Sequence, residues 1–112
     1  MDYLGEFELL VMLAVLRLGT SAYGMTIRRE IVEVARRTAS LGAVYTTLER
    51  LEDKGFLSSA LGESNEERGG RAKKYFKITA SGAAAVKRSL KTTEAMKAGL
   101  GPAWSGAYAA AR

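Results

Sequence analysis

Hydrophobic positions along this chain follow helical spacing in three successive stretches, take on a strand-like texture near the middle, and return to helical spacing before the end. Residues 4–18, LGEFELLVMLAVLRL, hold good helix formers without Gly or Pro after Gly5, and from Leu9 onward they are apolar on nearly every side. Such a helix has to be buried all round. In a short chain that is hard to arrange within one subunit, so part of this first helix is expected to lie against a partner. Gly19-Thr20-Ser21 ends it.

In the next stretch, YGMTIRREIVEVARR, Tyr23, Ile27, Ile31 and Val34 stand at spacings of four, four and three, one stripe of a second helix. Arg28, Arg29, Glu30, Glu33, Arg36 and Arg37 fall largely outside that stripe. Ser40 then offers an N-cap, and Leu41, Val44, Tyr45, Leu48 and Leu51 trace a third helix that Gly55 stops after Lys54. From Phe56 the runs FLSSAL and KKYFKIT carry β-branched and aromatic residues on either side of the polar, glycine-containing GESNEERGGR, which predicts a hairpin. Thr79 and Ser81 provide a cap for a last helix over about 83–100, and its apolar residues Val86, Leu90, Met96 and Leu100 are too sparse to fold without a partner surface. Gly101-Pro102 breaks it.

Three helices, a two-stranded hairpin and a terminal helix predict a mainly α fold with a β-hairpin wing, a winged helix-turn-helix plus a C-terminal dimerisation helix. The expected organisation is a DNA-binding domain over 1–80, the dimerisation helix over 81–100 and a tail over 101–112. In the tail, Trp104 reads as an anchor rather than the wall of a ligand cavity. The blander alternative for the whole chain is a small α+β domain without a nucleic-acid role.

Composition narrows the functions. With 112 residues and 47% apolar content there is one core and no room for a second full domain. The chain has no cysteine and no histidine, which removes thiolate nucleophiles, imidazole bases and the usual zinc ligands. All twelve carboxylates sit in charged company along the sequence and read as solvated, so no catalytic residue, metal or cofactor is expected. The run from Leu9 to Leu16 is too short to span a membrane and no basic leader precedes it, so a cytoplasmic protein is expected. A net charge of +5 and a pI near 9.7 favour polyanionic partners.

The face of the third helix opposite its stripe carries Ala43, Thr46, Thr47, Arg50 and Lys54, which makes it the expected groove-facing surface. Ser40 and Gly42 lie at its positive end, where free N–H groups can take a phosphate oxygen. Between Arg68 and Lys77 there are basic residues and no acidic one, and Arg71, Lys73 and Lys74 are the expected phosphate contacts, with Glu63, Glu66 and Glu67 just ahead of them in the same loop. Tyr45 and Tyr75 are expected in the core. Phe7, Leu10, Val11, Ala14, Val86, Leu90, Met96 and Leu100 are the expected dimer contacts. A winged-helix protein-interaction module without DNA binding is the alternative function, and its sign would be an acidic or apolar recognition face.

The pieces YGMTI, SLGAVYTTLERLEDKGF and GGRAKKYFKITASG resemble the PadR family of transcriptional regulators in order and spacing, over about residues 4–98. The resemblance rests on G-x-x-Y-x-x-L-x-x-L-x-x-x-G from Gly42 to Gly55, coupled to YFKITASG from Tyr75 to Gly82. It implies a homodimer that represses genes from an inverted repeat in double-stranded DNA, with the first and last helices at the interface, and release by a small aromatic effector. Where many members carry proline after the recognition-helix tyrosine, this chain has Thr46.

Overall fold

A computed structural model describes residues 3–62 and 72–103. Helix α1 (Glu6–Leu18) leads through a 3-10 turn (Gly19–Ser21) into α2 (Gly24–Val34) and α3 (Leu41–Asp53), followed by strands β1 (Leu57–Leu61) and β2 (Lys74–Ile78) and helix α4 (Ala80–Lys97). The strands pair antiparallel, with Leu57 opposite Ile78 and Leu61 opposite Lys74. The chain just before α2 adds a one-residue third rung, because the Phe76 amide donates to the Ala22 carbonyl at 2.8 Å and Tyr23 bridges to Tyr75.

Helix α1 starts at Gly5, whose amide donates to Glu8 Oε1 at 2.8 Å, and it places Glu6 and Glu8 at its positive end and Arg17 at its negative end. Its inner face, Val11, Met12, Ala14 and Val15, is buried against Ile27 and Ile31 of α2, Val44, Leu48 and Leu51 of α3, Phe76 of β2, and Ala85 and Val86 of α4. Val11, Ala14 and Val86 are therefore core residues of one subunit and not the partner contacts expected from the sequence. The all-round apolar helix still leaves Leu16 exposed and Leu10 and Leu13 only half covered.

The second helix is shorter than its pattern. It ends at Val34, itself exposed, because the chain turns left-handed at Arg36 with φ of 55°. Arg28 Nε then donates to the Ala39 carbonyl at 2.7 Å and ties α2 to the segment that enters α3. At the far end of α3 the chain reverses at Gly55, where φ is 78°. Thr79 caps α4 by accepting from the Gly82 amide at 3.0 Å, so the helix begins at Ala80 rather than near 83. Both Thr79 and Ser81 donate to the Gly55 carbonyl, which fastens the start of α4 to the end of α3. The helix stops at Ala98 and Gly99, ahead of the Gly101-Pro102 pair expected to break it.

Beyond Ser89 every described residue of α4 is exposed, and the helix projects from the rest of the molecule. The radius of gyration, 17.0 Å, reflects this, since a compact chain of this length has about 13 Å. Among the described residues no helix is long and apolar enough to cross a membrane.

One carboxylate departs from the expected solvated pattern. Glu8 is 8% exposed and pairs with Lys54 Nζ at 2.9 Å, joining the first turn of α1 to the C-cap of α3. Burial pushes the Glu8 carboxyl up, but the Gly5 amide, the Lys54 ammonium and the nearby Arg50 outweigh it and hold the group below the usual carboxylate range. Because its folded pKa is depressed, Glu8 stabilises the fold above its unfolded pKa, and that contribution is lost as pH falls through the folded value. Lys54→Met leaves the buried carboxylate without its ion-pair partner and should cost about 3 kcal/mol in denaturant titrations at neutral pH. Acidification through the carboxylate range should shrink the difference between Lys54→Met and wild type, because Glu8 takes up its proton first in the variant, where Lys54 no longer holds it charged.

Candidate nucleic-acid interface

The inward side of α3 consists of Val44, Thr47, Leu48 and Leu51, positions three and four apart that fall on one arc of the helix. Thr47, expected to face a groove, is 5% exposed and belongs to this arc. Tyr45, expected in the core, is 48% exposed. The place of Tyr45 has a steric cause. A Cβ on Gly24 would lie 2.5 Å from Tyr45 Cζ, so the tyrosine ring rests on the bare backbone at the start of α2 and the two helices approach closely there. Thr47, compact and β-branched, fills the inward position one turn from Val44 and Leu51.

What remains on the outward side is Gly42, Ala43, Tyr45, Thr46, Glu49, Arg50 and Asp53, all exposed. Small residues lie towards the N-terminus of α3, and the acidic Glu49 and Asp53, which apolar spacing does not single out, lie towards its C-terminus. Ser40 accepts from the Ala43 amide at 3.1 Å as the N-cap. A Cβ on Gly42 would meet nothing within 4 Å, so nothing within the described chain requires a glycine at that exposed first turn.

The cations of the recognition face and the wing divide into three groups. Lys54 is engaged by Glu8 and is a structural residue. Lys73 lies 4.6 Å over the Tyr23 ring, which meets Tyr75 edge to face at 5.4 Å, and Lys74 pairs with Glu52 at 3.3 Å. Both wing lysines thus have intrachain partners. Arg50 and Lys77 stay exposed, and Lys77 has no polar or charged partner among the described residues. Arg71, the acidic residues ahead of it, and Trp104 lie outside the described residues. The small residues and flanking arginine of the outward face of α3 can follow a polar edge at close range, with the hairpin alongside.

The family model described as "Transcriptional regulator PadR-like family" matches residues 12–88. No curated protein matches the chain. Among solved structures, a PadR-like transcription factor from Bacteroides fragilis is 27% identical, with a TM-score of 0.70 over 81% of this chain and 82% of that one. A PadR family transcriptional regulator from Eggerthella lenta is 22% identical, with a TM-score of 0.67 over 85% of this chain and 80% of its own. Bacillus subtilis PadR in complex with operator DNA is 23% identical, with a TM-score of 0.63 over 76% of this chain and 48% of that longer one. The winged helix-turn-helix and the match across most of its length agree, and the chain belongs to the PadR-like family of transcriptional regulators.

Proposed function

We propose that this protein is a cytoplasmic repressor that binds an inverted repeat in duplex DNA as a homodimer, with the N-terminal half of α3 in the major groove and the hairpin over the adjacent backbone. The observation that carries the reading is the outward face of α3, where Gly42, Ala43 and Thr46 leave room for base edges and Arg50 stands beside them. The operator complex of Bacillus subtilis PadR supports the same use of the shared fold here. Tyr45, held against Gly24, is half exposed at the margin of that face. Ser40 stands at the positive end of α3, and Lys77 extends the basic surface along the wing.

The second copy is supported by α4, where Leu90 and Met96 remain 42% and 76% exposed. Phe7 and Leu10 on α1 and Leu100 beyond α4 continue the proposed contact, with Leu13 and Leu16 joining the residues expected from the sequence. A small aromatic effector that releases the DNA remains part of this proposal through the family resemblance, with no residue assigned to it.

Footprinting with purified protein on the DNA upstream of its own gene tests the reading directly, and a pseudo-palindrome with half-sites about one helical turn apart is the expected footprint. Arg50→Ala should cost about 1–3 kcal/mol on that operator and much less on random duplex. Thr47→Ala, by contrast, should lower the unfolding midpoint.

Gly42 separates folding from function. Gly42→Ala should stabilise the protein by about 0.4–1 kcal/mol in thermal unfolding, since a helical glycine costs more chain entropy than alanine. The same change should weaken operator binding, because the added methyl occupies the surface offered to the groove. Stabilisation with undiminished binding would move Gly42 off the DNA.

For the dimer, Leu90→Asp should convert a sedimenting dimer to monomer at micromolar concentration, because it places a carboxylate where an apolar contact is required.

A further inference from the structure

We propose that Glu52 is a positioning residue for DNA recognition: it clamps both wing strands to the recognition helix and keeps the Lys74 ammonium away from phosphates, which limits binding to random sequence. The inference rests on the DNA-binding reading above.

Glu52 lies in the last turn of α3 and reaches across to the hairpin with both oxygens. Oε1 pairs with Lys74 Nζ of β2 at 3.3 Å, and Oε2 accepts from Ser59 Oγ of β1. Ser59 and Lys74 are on the same side of the two-stranded sheet, because the Ser59–Phe76 and Leu61–Lys74 rungs are two residues apart. One carboxylate therefore bonds to both strands of the wing and ties them to α3. Lys74 is further held by the Phe76 ring, whose centroid lies 5.6 Å from Nζ. The hydrogen bond from Ser59 keeps the Glu52 carboxyl below its usual range against the upward push of burial, with Lys74 adding to the effect, so the carboxylate is charged wherever the protein binds DNA.

A lysine paired in this way releases no counterion from DNA, whereas a free wing lysine contributes a slope of about −0.9 in log affinity against log salt. Glu49 and Asp53 on the same helix are exposed and hold no such pair among the described residues, so their charges act only at a distance.

The test is a double-mutant cycle of Glu52→Gln and Lys74→Met, measured on operator and on random duplex at several salt concentrations, with Glu49→Gln as a control for net charge. In Glu52→Gln the random-duplex slope should steepen by about 0.9, and adding Lys74→Met should remove that gain. The ratio of operator to random affinity should fall by about tenfold in Glu52→Gln, the size of one lost base-edge discrimination. Glu49→Gln should shift affinity equally with and without Lys74. Lys74→Met alone keeps the aliphatic stem and should leave the wild-type slope unchanged, a readout that does not require Glu52→Gln to fold. A flattened slope in Lys74→Met, an unchanged slope in Glu52→Gln, or a gain that persists in the double variant would each overturn the proposal. Wild-type protein that binds neither duplex would instead overturn the DNA reading on which it rests.

Discussion

Burial of one helix organises this molecule. The inner face of α1, formed by Val11, Met12, Ala14 and Val15, shares one core with residues of α2, α3, β2 and α4, so these elements are placed by packing on α1. A large-to-small change in such a core typically costs about 2–5 kcal/mol, a large share of the stability of a domain this size. The same helix carries the buried Glu8, which draws Lys54 and the end of α3 towards its first turn. Apolar packing sets how close α3 lies to α1, and the ion pair sets where along its length it is fastened.

Charge on this protein is divided between fastening and display. Lys54, Lys73, Lys74, Arg28 and Arg37 all have partners within the chain: carboxylates, aromatic faces or a carbonyl. The positive balance of the sequence consequently overstates what is open to a polyanion. Exposed cations such as Arg50 and Lys77 count for more than the total, because a paired ammonium has less to gain from a phosphate.

Close approach of backbone is the other recurring device. At Gly24 the missing side chain is filled by the Tyr45 ring, which brings α2 and α3 together and presents the tyrosine at the margin of the outward face. Gly42 leaves a gap that nothing in the described chain fills, at the place where the proposed DNA edge would come nearest. The two glycines look alike in the sequence, but one serves packing and the other stands open on the outward face of α3.

Much of this is legible in the order of residues along the chain. Apolar spacing locates three helices and a hairpin, Ser40 and Thr79 read as caps because short hydroxyl side chains at those places reach the third amide of the helix, and the order of motifs points to the family. Periodicity does not settle which way the residues at the edge of a stripe turn. Thr47 turns inward with Val44, Leu48 and Leu51, whereas Tyr45 stays half exposed with its ring on the bare backbone of Gly24, and nothing local to α3 encodes that contact. Charge pairing is equally hidden: Glu8 and Lys54 are 46 residues apart, and Glu52 meets Lys74 only because the hairpin folds back on α3. Where the chain bends and which faces are apolar follow from local sterics and spacing, and these are properties of the sequence. Which polar side chains hold the fold, and which stay free to meet DNA, is settled only when distant segments pack together, because burial and pairing do not exist until they do.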